Sequence, residues 1–412
     1  MLNYPLGDLA MQVAKVSDMG GRVTADKIGS GSRTGRRTES LRRLAHYGLL
    51  GTAIALLPIR QALADVDIAA QFVPLQVSTV PDNGDTNPYG VAFVPPGFSA
   101  GGPLQPGDIL VSNFNNSAGL SGTGTTIVRV TPAGQVSLFF NGNPTNLPPP
   151  QLGLTTALGV LKRGFVLVGN LPTTDGSPAT IQKPGSLLVI NRQGQQIATI
   201  SDPTLLGGPW DLTILDGGSW AKVFVSNVLS GTVTRLDLDV DANHVFVKQK
   251  VQIASGYKTN TDPTVLVLGP TGLAFDPVTG ILYVASTLDN KIFAIANAAF
   301  AGPQSGTGTL VYMDDVHLRG PLGLAFTPNG HLITANGDAV NPLNLPSPNS
   351  EIVEFTKDGN FVAEFSIDSA VGAAFGIAVG PLPVVPLPVV LARLAAVDDA
   401  RNDLTIYTLV TP

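Results

Sequence analysis

The sequence predicts an all-β fold, a six-bladed β-propeller closed by an N-terminal strand that completes the last blade. Three observations predict it: a glycine-containing phrase recurs six times, each copy holds several short β runs, and the two chain ends supply complementary parts of one copy. Of the 412 residues, 44% are hydrophobic and 13% are charged. The chain therefore has enough apolar material for a large core, and its low charge argues against disorder.

The repeated phrase is clearest in GLAFDPVTGILYVASTLDNKIFAI, residues 272–295, where two apolar runs flank a turn and a third run follows. Copies of this phrase share a glycine position, occupied by Gly90, Gly159, Gly272, Gly323 and Gly376, with Asp211 in its place in one copy. Repeats of about 50 residues, rich in short strands and turns, are typical of propeller blades. Stacked βαβ units would need amphipathic helices between the strands, and the sequence shows none of convincing length.

The two ends of the chain predict how the ring closes. The sixth copy finishes with its third β run, and an unassigned run, FVPLQVSTV at 72–80, precedes the first copy. If this run is the fourth strand of the last blade, no sheet edge is left exposed. We therefore expect both terminal segments of the propeller to share blade 6.

Residues 1–64 are predicted to be a signal peptide with an extended basic n-region, and residues 65–412 to be the propeller domain. A basic stretch at 32–43 and an apolar stretch at 48–58 precede the cleavage motif Ala62-Leu63-Ala64. Because the apolar stretch is too short to span a bilayer, we expect export without a permanent membrane anchor. The predicted location is periplasmic or secreted, by either general or twin-arginine export.

Charge and cysteine content limit the chemistry and the partners. The formal net charge is −6, and the Lys/Arg-rich blocks are confined to the leader, so we expect no nucleic-acid partner. The absence of cysteine excludes disulfides and thiol catalysis. We expect a monomer, and a small molecule, a glycan or a protein stays open as its partner.

The repeat resembles a known family. The pattern G-[LIV]-A-[FV]-x-P-x-G-x-[LIV]-x-V-[AS]-[ND], followed by an I-x-x-[FIVL] strand, is similar to the NHL-type repeat. It falls within the wider six-bladed group that includes SMP-30/gluconolactonase-like proteins, and the resemblance covers residues 72–412. The resemblance implies the fold rather than the activity, because propellers host binders, hydrolases, lyases and redox enzymes alike.

One face of the propeller is the candidate binding site. Antiparallel strands bring the start of the first strand and the end of the second to the same face, here called the loop face because Gly- and Pro-rich segments enlarge it. The residues that precede the glycine position are Tyr89, Leu158, Trp210, Thr271, Leu322 and Phe375. The residues that end the second strand, here called the rim residues, are Asn113, Asn170, Asn227, Thr287, Asn336 and Asp398.

Two interpretations of the loop face stay open. Apolar walls with a few polar groups suit a small or extended ligand. Alternatively, the rim residues are architectural, because Asn and Asp at strand ends commonly hydrogen-bond nearby backbone. Trp210 and Asp211 are the favoured functional pair, since Asp211 replaces a glycine and departs from the repeat.

Enzymatic function stays open as an alternative. In SMP-30-like lactonases the resemblance implies a divalent cation held by carboxylates and amides beside the blade glycines. Here only Asp211 is a carboxylate at those positions, so calcium is possible but no cofactor or metal ligand is predicted. The four histidines fall in the leader, in turns and on an inter-blade connection, so no catalytic residue is predicted. The sequence favours a binding or interaction module over a lactone hydrolase, with a quinoprotein as a third possibility.

Overall fold

Six four-stranded antiparallel sheets form the blades of the protein, and the prediction of an all-β, six-bladed propeller is confirmed. The computed structural model describes residues 72–142, 152–337, 340, 352–380 and 390–410, and the predicted signal peptide lies outside these ranges. Within them, helical structure amounts to a short 3-10 helix at Pro178–Thr180. A search of the same residues finds no helix that is long and apolar enough to cross a membrane.

Blades 1 to 3 each use four strands that are consecutive in the chain. Blade 1 contains β2 (Thr86–Phe93), β3 (Ile109–Asn115), β4 (Thr126–Val130) and β5 (Val136–Asn141). Blade 2 contains β6 (Leu154–Leu161), β7 (Phe165–Asn170), β8 (Ser186–Asn191) and β9 (Gln196–Ile200). Blade 3 contains β10 (Pro209–Asp216), β11 (Trp220–Asn227), β12 (Thr232–Val240) and β13 (Val245–Ser255).

A small hairpin of β14 (Asn260–Asp262) and β15 (Leu266–Leu268) separates blade 3 from blade 4. Blade 4 contains β16 (Pro270–Asp276), β17 (Ile281–Ser286), β18 (Lys291–Ile295) and β19 (Thr309–Tyr312). Blade 5 contains β20 (Pro321–Phe326), β21 (Leu332–Asn336), β22 (Ile352–Phe355) and β23 (Phe361–Phe365). Blade 6 contains β24 (Ala374–Gly380), β25 (Val390–Asp398), β26 (Asp403–Val410) and β1 (Phe72–Ser78).

The ring closes through blade 6, as the sequence predicted. Strand β1 pairs antiparallel with β26, with Phe72 opposite Leu409 and Ser78 opposite Asp403. The innermost strands contact one another in the cyclic order β2, β6, β10, β16, β20, β24 and back to β2. The N-terminal strand thus supplies the outer strand of the last sheet, which otherwise would end in the unpaired edge of β26.

The hydrophobic core lies between the blades. Side chains along a strand alternate between its two faces, and both faces of each blade are covered by a neighbouring blade. In β3, Ile109 and Val111 pack with Val397 of blade 6, whereas Leu110 packs with Val166 of blade 2. This packing explains why the second-strand runs read as continuous apolar sequence.

The repeated glycine marks a point where neighbouring innermost strands touch. A Cβ atom on Gly272 would lie 2.1 Å from the carbonyl oxygen of Leu322 in the next blade, and one on Gly376 would lie 2.0 Å from that of Tyr89. Each innermost strand also shifts register at or near this position, as between Pro270 and Leu273. Close backbone approach therefore requires glycine at positions 272 and 376, whereas blade 3 accommodates Asp211 at the equivalent position.

Candidate functional site

The rim residues lie beside the start of the innermost strand in five of the six blades. In five blades a residue at the start of the innermost strand pairs with the rim residue, for example Pro88 with Asn113 and Pro209 with Asn227. All six rim side chains are fully buried. They are not among the residues that line the cavity described below.

Hydrogen bonds explain what the rim residues do. Asn336 Oδ1 accepts a bond of 2.9 Å from the backbone N–H of Arg319, and its Nδ2 donates to the carbonyl of His317 at 2.8 Å. Asn170 Oδ1 accepts from Gly153 N–H at 2.8 Å, and Asn113 Nδ2 donates to the Thr79 carbonyl at 3.1 Å. Each of these amides thus ties down the chain that enters its own blade, which supports the architectural interpretation of the rim.

The six innermost strands surround a central channel, and four aromatic rings from three blades meet at its loop-face end. We call these rings the aromatic cluster. Tyr89 stacks on Phe114 with 4.4 Å between ring centroids, and on Phe375 of blade 6 with 4.2 Å. Trp210 of blade 3 meets Tyr89 edge-on at 6.0 Å and Phe114 at 5.5 Å. The structure therefore brings together three of the predicted site residues, Tyr89, Trp210 and Phe375.

A cavity of about 290 Å³, here called the loop-face cavity, lies against the aromatic cluster. Its walls include Tyr89, Trp210 and Phe375, together with Thr271 and Leu322 from blades 4 and 5. Its polar lining includes four residues that the repeat pattern did not single out, namely Asn87, Asn115, Ser121 and Asp399. The lining surface of this cavity is more polar than apolar, and its hydrophobic walls with convergent polar groups are features that small-molecule sites share.

The hairpin between blades 3 and 4 forms another wall of this cavity. Thr264, Val265, Val267 and Leu268 line it, and the side chain of Leu266 is buried beside the aromatic cluster. Leu266 has a φ of +64°, a conformation that leucine rarely adopts and that costs on the order of 1–3 kcal/mol. The strain is offset by burial of the leucine side chain, which fixes the hairpin over the rings.

Two neighbouring carboxyl groups in blade 6, those of Asp398 and Asp399, have pKa values above the ordinary value for aspartate. Burial, reinforced by the negative charge of Asp398, raises the pKa of Asp399 to about 7. Burial also raises the pKa of Asp398 to about 6, although Arg401 lies 2.7 Å from its carboxylate and acts in the opposite direction. The pKa of Tyr89 is raised well above its ordinary value by burial and then by the charge of Asp399. Asp399 and the Tyr89 hydroxyl are therefore electrostatically coupled at the cavity wall.

Asp211 is not brought to the loop-face cavity. Its side chain lines a second cavity of about 320 Å³, formed by segments that follow the pre-glycine residues along all six innermost strands. We call this cavity the lower channel. Asp211 accepts hydrogen bonds from the backbone N–H groups of Leu212 at 2.7 Å and Leu273 at 3.2 Å. Although its side chain keeps some exposure to the channel, surrounding protein raises the pKa of Asp211 to about 7. Trp210 and Asp211, which were expected to form one site, thus line two different cavities.

The fold resembles solved structures of low sequence identity. A proposed oxidoreductase (glucose dehydrogenase) from Thermus thermophilus matches with a TM-score of 0.50 and 12% identity, over 82% of this chain and 100% of that one. A gluconolactonase from Xanthomonas campestris matches with a TM-score of 0.48 and 14% identity, over 84% and 93% of the two chains. Regucalcin from Agrobacterium tumefaciens, a calcium-binding protein, matches with a TM-score of 0.44 and 14% identity, over 81% and 94%.

These similarities bear on architecture. No protein-family model matches the chain, and no curated protein matches it. Two of these neighbours, the gluconolactonase and regucalcin, carry the names of the wider group that the repeats resemble. At identities this low, the likeness shows the fold alone. The chain is a six-bladed β-propeller.

Proposed function

We propose that the protein is a binding module whose loop-face cavity takes a small molecule. The observation that carries this proposal is the cavity itself, which lies at the mouth of the channel between aromatic walls and a few polar side chains. Apolar walls supply burial, and a small number of polar groups fixes the orientation of the ligand.

Two unpaired oxygen atoms support the proposal. The side-chain oxygens of Asn87 and Asn115 are buried and have no hydrogen-bond partner among the described residues. Both residues line the loop-face cavity. Leaving a buried acceptor unsatisfied costs about 1–3 kcal/mol, so a side-chain rotation that turns these oxygens to a hydrogen-bond donor on the ligand would recover part of this free energy.

Lactone hydrolysis with a divalent cation is the alternative function implied by the resemblance, with calcium as the candidate ion. A calcium ion takes six to eight oxygen ligands, several of them carboxylates. As oxygen ligands for calcium, the loop-face cavity offers the carboxylate of Asp399 and the side-chain amides of Asn87 and Asn115, and its other walls are aromatic. No group of three or more His, Asp and Glu side chains is placed to hold a metal in the part of the chain that the structure describes. Because this donor set does not fit calcium, binding is the better-supported function.

The proposal includes location and state of assembly. The basic and apolar stretches before Ala62-Leu63-Ala64 support export to the periplasm or the medium. A monomer is part of the proposal, with the ring closed within one chain by the pairing of β1 with β26. A glycan or a protein that binds the loop face would also fit the proposal of a binding module.

The chain carries a built-in reporter for this proposal. It has two tryptophans, of which Trp220 is 43% exposed and Trp210 is 3% exposed at the wall of the cavity. In a Trp220→Phe background, a diverse library of soluble small molecules should contain ligands that change Trp210 fluorescence. A Val265→Trp substitution, made in the same background with Trp210→Phe, should block the cavity and abolish binding measured by calorimetry.

Two results would overturn the proposal. One is a library without any ligand that changes Trp210 fluorescence. The other is a set of ligands that bind the cavity-blocked variant with unchanged affinity while its melting temperature is also unchanged. The second result would indicate that the ligand lies elsewhere, with the lower channel as the next place to test.

A further inference from the structure

We propose that the loop-face cavity selects a small organic ammonium ion, a ligand that presents a positively charged nitrogen substituted with carbon. This inference rests on the proposed function and names the class of ligand. Its basis is the combination of one carboxylate, two unpaired acceptor oxygens and aromatic faces around a single small cavity.

The charge of the cavity is the first step. Among the described residues that line it, Asp399 is the acidic side chain, and none is Lys, Arg or His. Arg401, the nearest cation on the same turn, is directed to other carboxylates, with contacts of 2.7 Å to Asp398 and 3.2 Å to Asp403. Asp399 is therefore a half-buried carboxyl group without a cation of its own, and its ionised form favours a positively charged ligand.

The direction of the available hydrogen bonds is the second step. The unpaired side-chain atoms of Asn87 and Asn115 are oxygens, which accept. Asn87 is held in place because its backbone N–H donates to Asn402 Oδ1 at 2.6 Å, and Asn115 because its Nδ2 donates to the Gly119 carbonyl at 3.3 Å. A ligand that only accepts would leave both oxygens unsatisfied. An alkylammonium ion, or an ammonium that carries a hydroxyl, can donate to them once a side-chain rotation turns these buried oxygens to the cavity.

The aromatic walls are the third step, and they separate organic cations from metal ions. Tyr89, Trp210 and Phe375 line the cavity, and the rings of Trp210 and Tyr89 meet at 67° between planes. Both faces of Tyr89 are covered by Phe114 and Phe375, so the ring surfaces left for a cation are those of Trp210 and the partly exposed Phe375. A weakly hydrated organic ammonium ion can contact aromatic rings, whereas calcium would need oxygen ligands in the positions that these rings occupy.

Protonation provides a consistent fourth observation. The pKa of Asp399 is raised to about 7 by burial, and then by the charges of Asp398 and Asp368. Tyr89 faces it from β2, and Arg401 and Asp403 complete the charged groups of this turn. A bound cation would favour the ionised form of Asp399, so binding near pH 7 should release a proton from the protein.

The test uses choline as the probe and 3,3-dimethylbutan-1-ol as its neutral counterpart of the same shape. Titration calorimetry at pH 7, in buffers of different ionisation enthalpy, measures both affinity and proton release. Choline carries no titratable nitrogen proton, so a released proton would come from the protein. The variants are Asp399→Asn, which keeps the shape of the side chain, and Asp315→Asn, an exposed control with the same change in charge.

We expect choline to bind more tightly than the neutral alcohol by about tenfold or more, which corresponds to about 1.4 kcal/mol. Asp399→Asn should remove this preference and the proton release, whereas Asp315→Asn should preserve both. Equal binding of the two probes would overturn the inference and leave the proposed function standing. Absence of choline binding would also overturn it, and calcium binding that Asp399→Asn abolishes would favour the metal-dependent alternative instead.

Discussion

The carboxylate of Asp211 accepts a hydrogen bond of 3.2 Å from the backbone N–H of Leu273, on the innermost strand of the next blade. At the equivalent position of that blade, a Cβ atom on Gly272 would lie 2.6 Å from the backbone nitrogen of Leu324. In blade 3, the side chain of Asp211 therefore lies in the space that is filled by the backbone of the neighbouring blade where the repeat has glycine. The contact gives Asp211 a structural role in joining blades 3 and 4.

We predict that Asp211→Asn flattens the dependence of stability on pH. The pKa of Asp211 is raised by burial from 3.8 to about 7, so the folded protein binds the proton more tightly than the unfolded chain does. The contribution of this group to stability is then full below about pH 4 and falls as the pH rises towards 7. Asn has one oxygen for the two N–H groups that Asp211 binds, so the variant loses an acceptor at every pH, but its melting temperature relative to the native protein should rise between pH 5 and pH 8.

Melting temperatures measured from pH 5 to pH 8 check this prediction. The difference between the two proteins isolates Asp211 from Asp398 and Asp399, whose raised pKa values affect both proteins equally. Asp315→Asn, with its exposed side chain, serves as the control for the loss of one negative charge. Parallel curves for the native protein and Asp211→Asn would contradict the raised pKa.

Removal of β1 should open the ring. A protein that begins after Ser78 would leave the full length of β26 as an unpaired edge, because β1 pairs with it from Phe72 to Ser78. Compared with a protein that begins at Asp65, the truncated one should lose soluble monomer in size-exclusion chromatography and melt at a lower temperature. A truncated protein that stays monomeric with unchanged melting would show that β1 is dispensable for closure.

Truncating a rim amide should destabilise the fold rather than alter ligand binding directly. Asn336→Ala removes the partners of the Arg319 N–H and the His317 carbonyl, both at the entry to blade 5. Unpaired buried backbone groups should lower the free energy of unfolding by about 1–3 kcal/mol. Chemical denaturation measures the change, with Asn243→Ala on an exposed turn as the control. Equal stability of the two variants would remove the architectural role of Asn336.

Export can be checked on the native protein. The basic and apolar stretches before Ala62-Leu63-Ala64 predict cleavage near Asp65. Mass spectrometry of protein isolated from its native source should find this N-terminus outside the cytoplasm. An intact leader on a cytoplasmic protein would contradict both the predicted processing and the predicted location.

The architecture could be predicted because it repeats. The glycine phrase appears six times with strand-length apolar runs, and ring closure followed from the run at 72–80. The hairpin at 260–268 occurs once, in the connection between blades 3 and 4, so comparison of the repeats could not predict where it packs. Its place over the aromatic cluster depends on the buried Leu266, whose positive φ no propensity of leucine would indicate.

The candidate site was predictable only in part. Tyr89, Trp210 and Phe375 were found from their place before the repeated glycine, and the structure joins them. Asp211 was grouped with Trp210 because the two are adjacent in sequence, yet adjacent side chains of a strand point to opposite sides. Asn87, Asn115 and Asp399 lie one or two residues from repeat positions in single blades, so nothing in the repeat marks them as a group.

Crystallographic screening with soaked fragments, including amines and neutral molecules, tests the central claim most directly. The account predicts ligand density in the loop-face cavity, in contact with Trp210 and Tyr89 and within hydrogen-bond distance of Asn87, Asn115 or Asp399. Density confined to the lower channel beside Asp211, or to the outer surfaces of the blades, would contradict the claim that this cavity is the binding site.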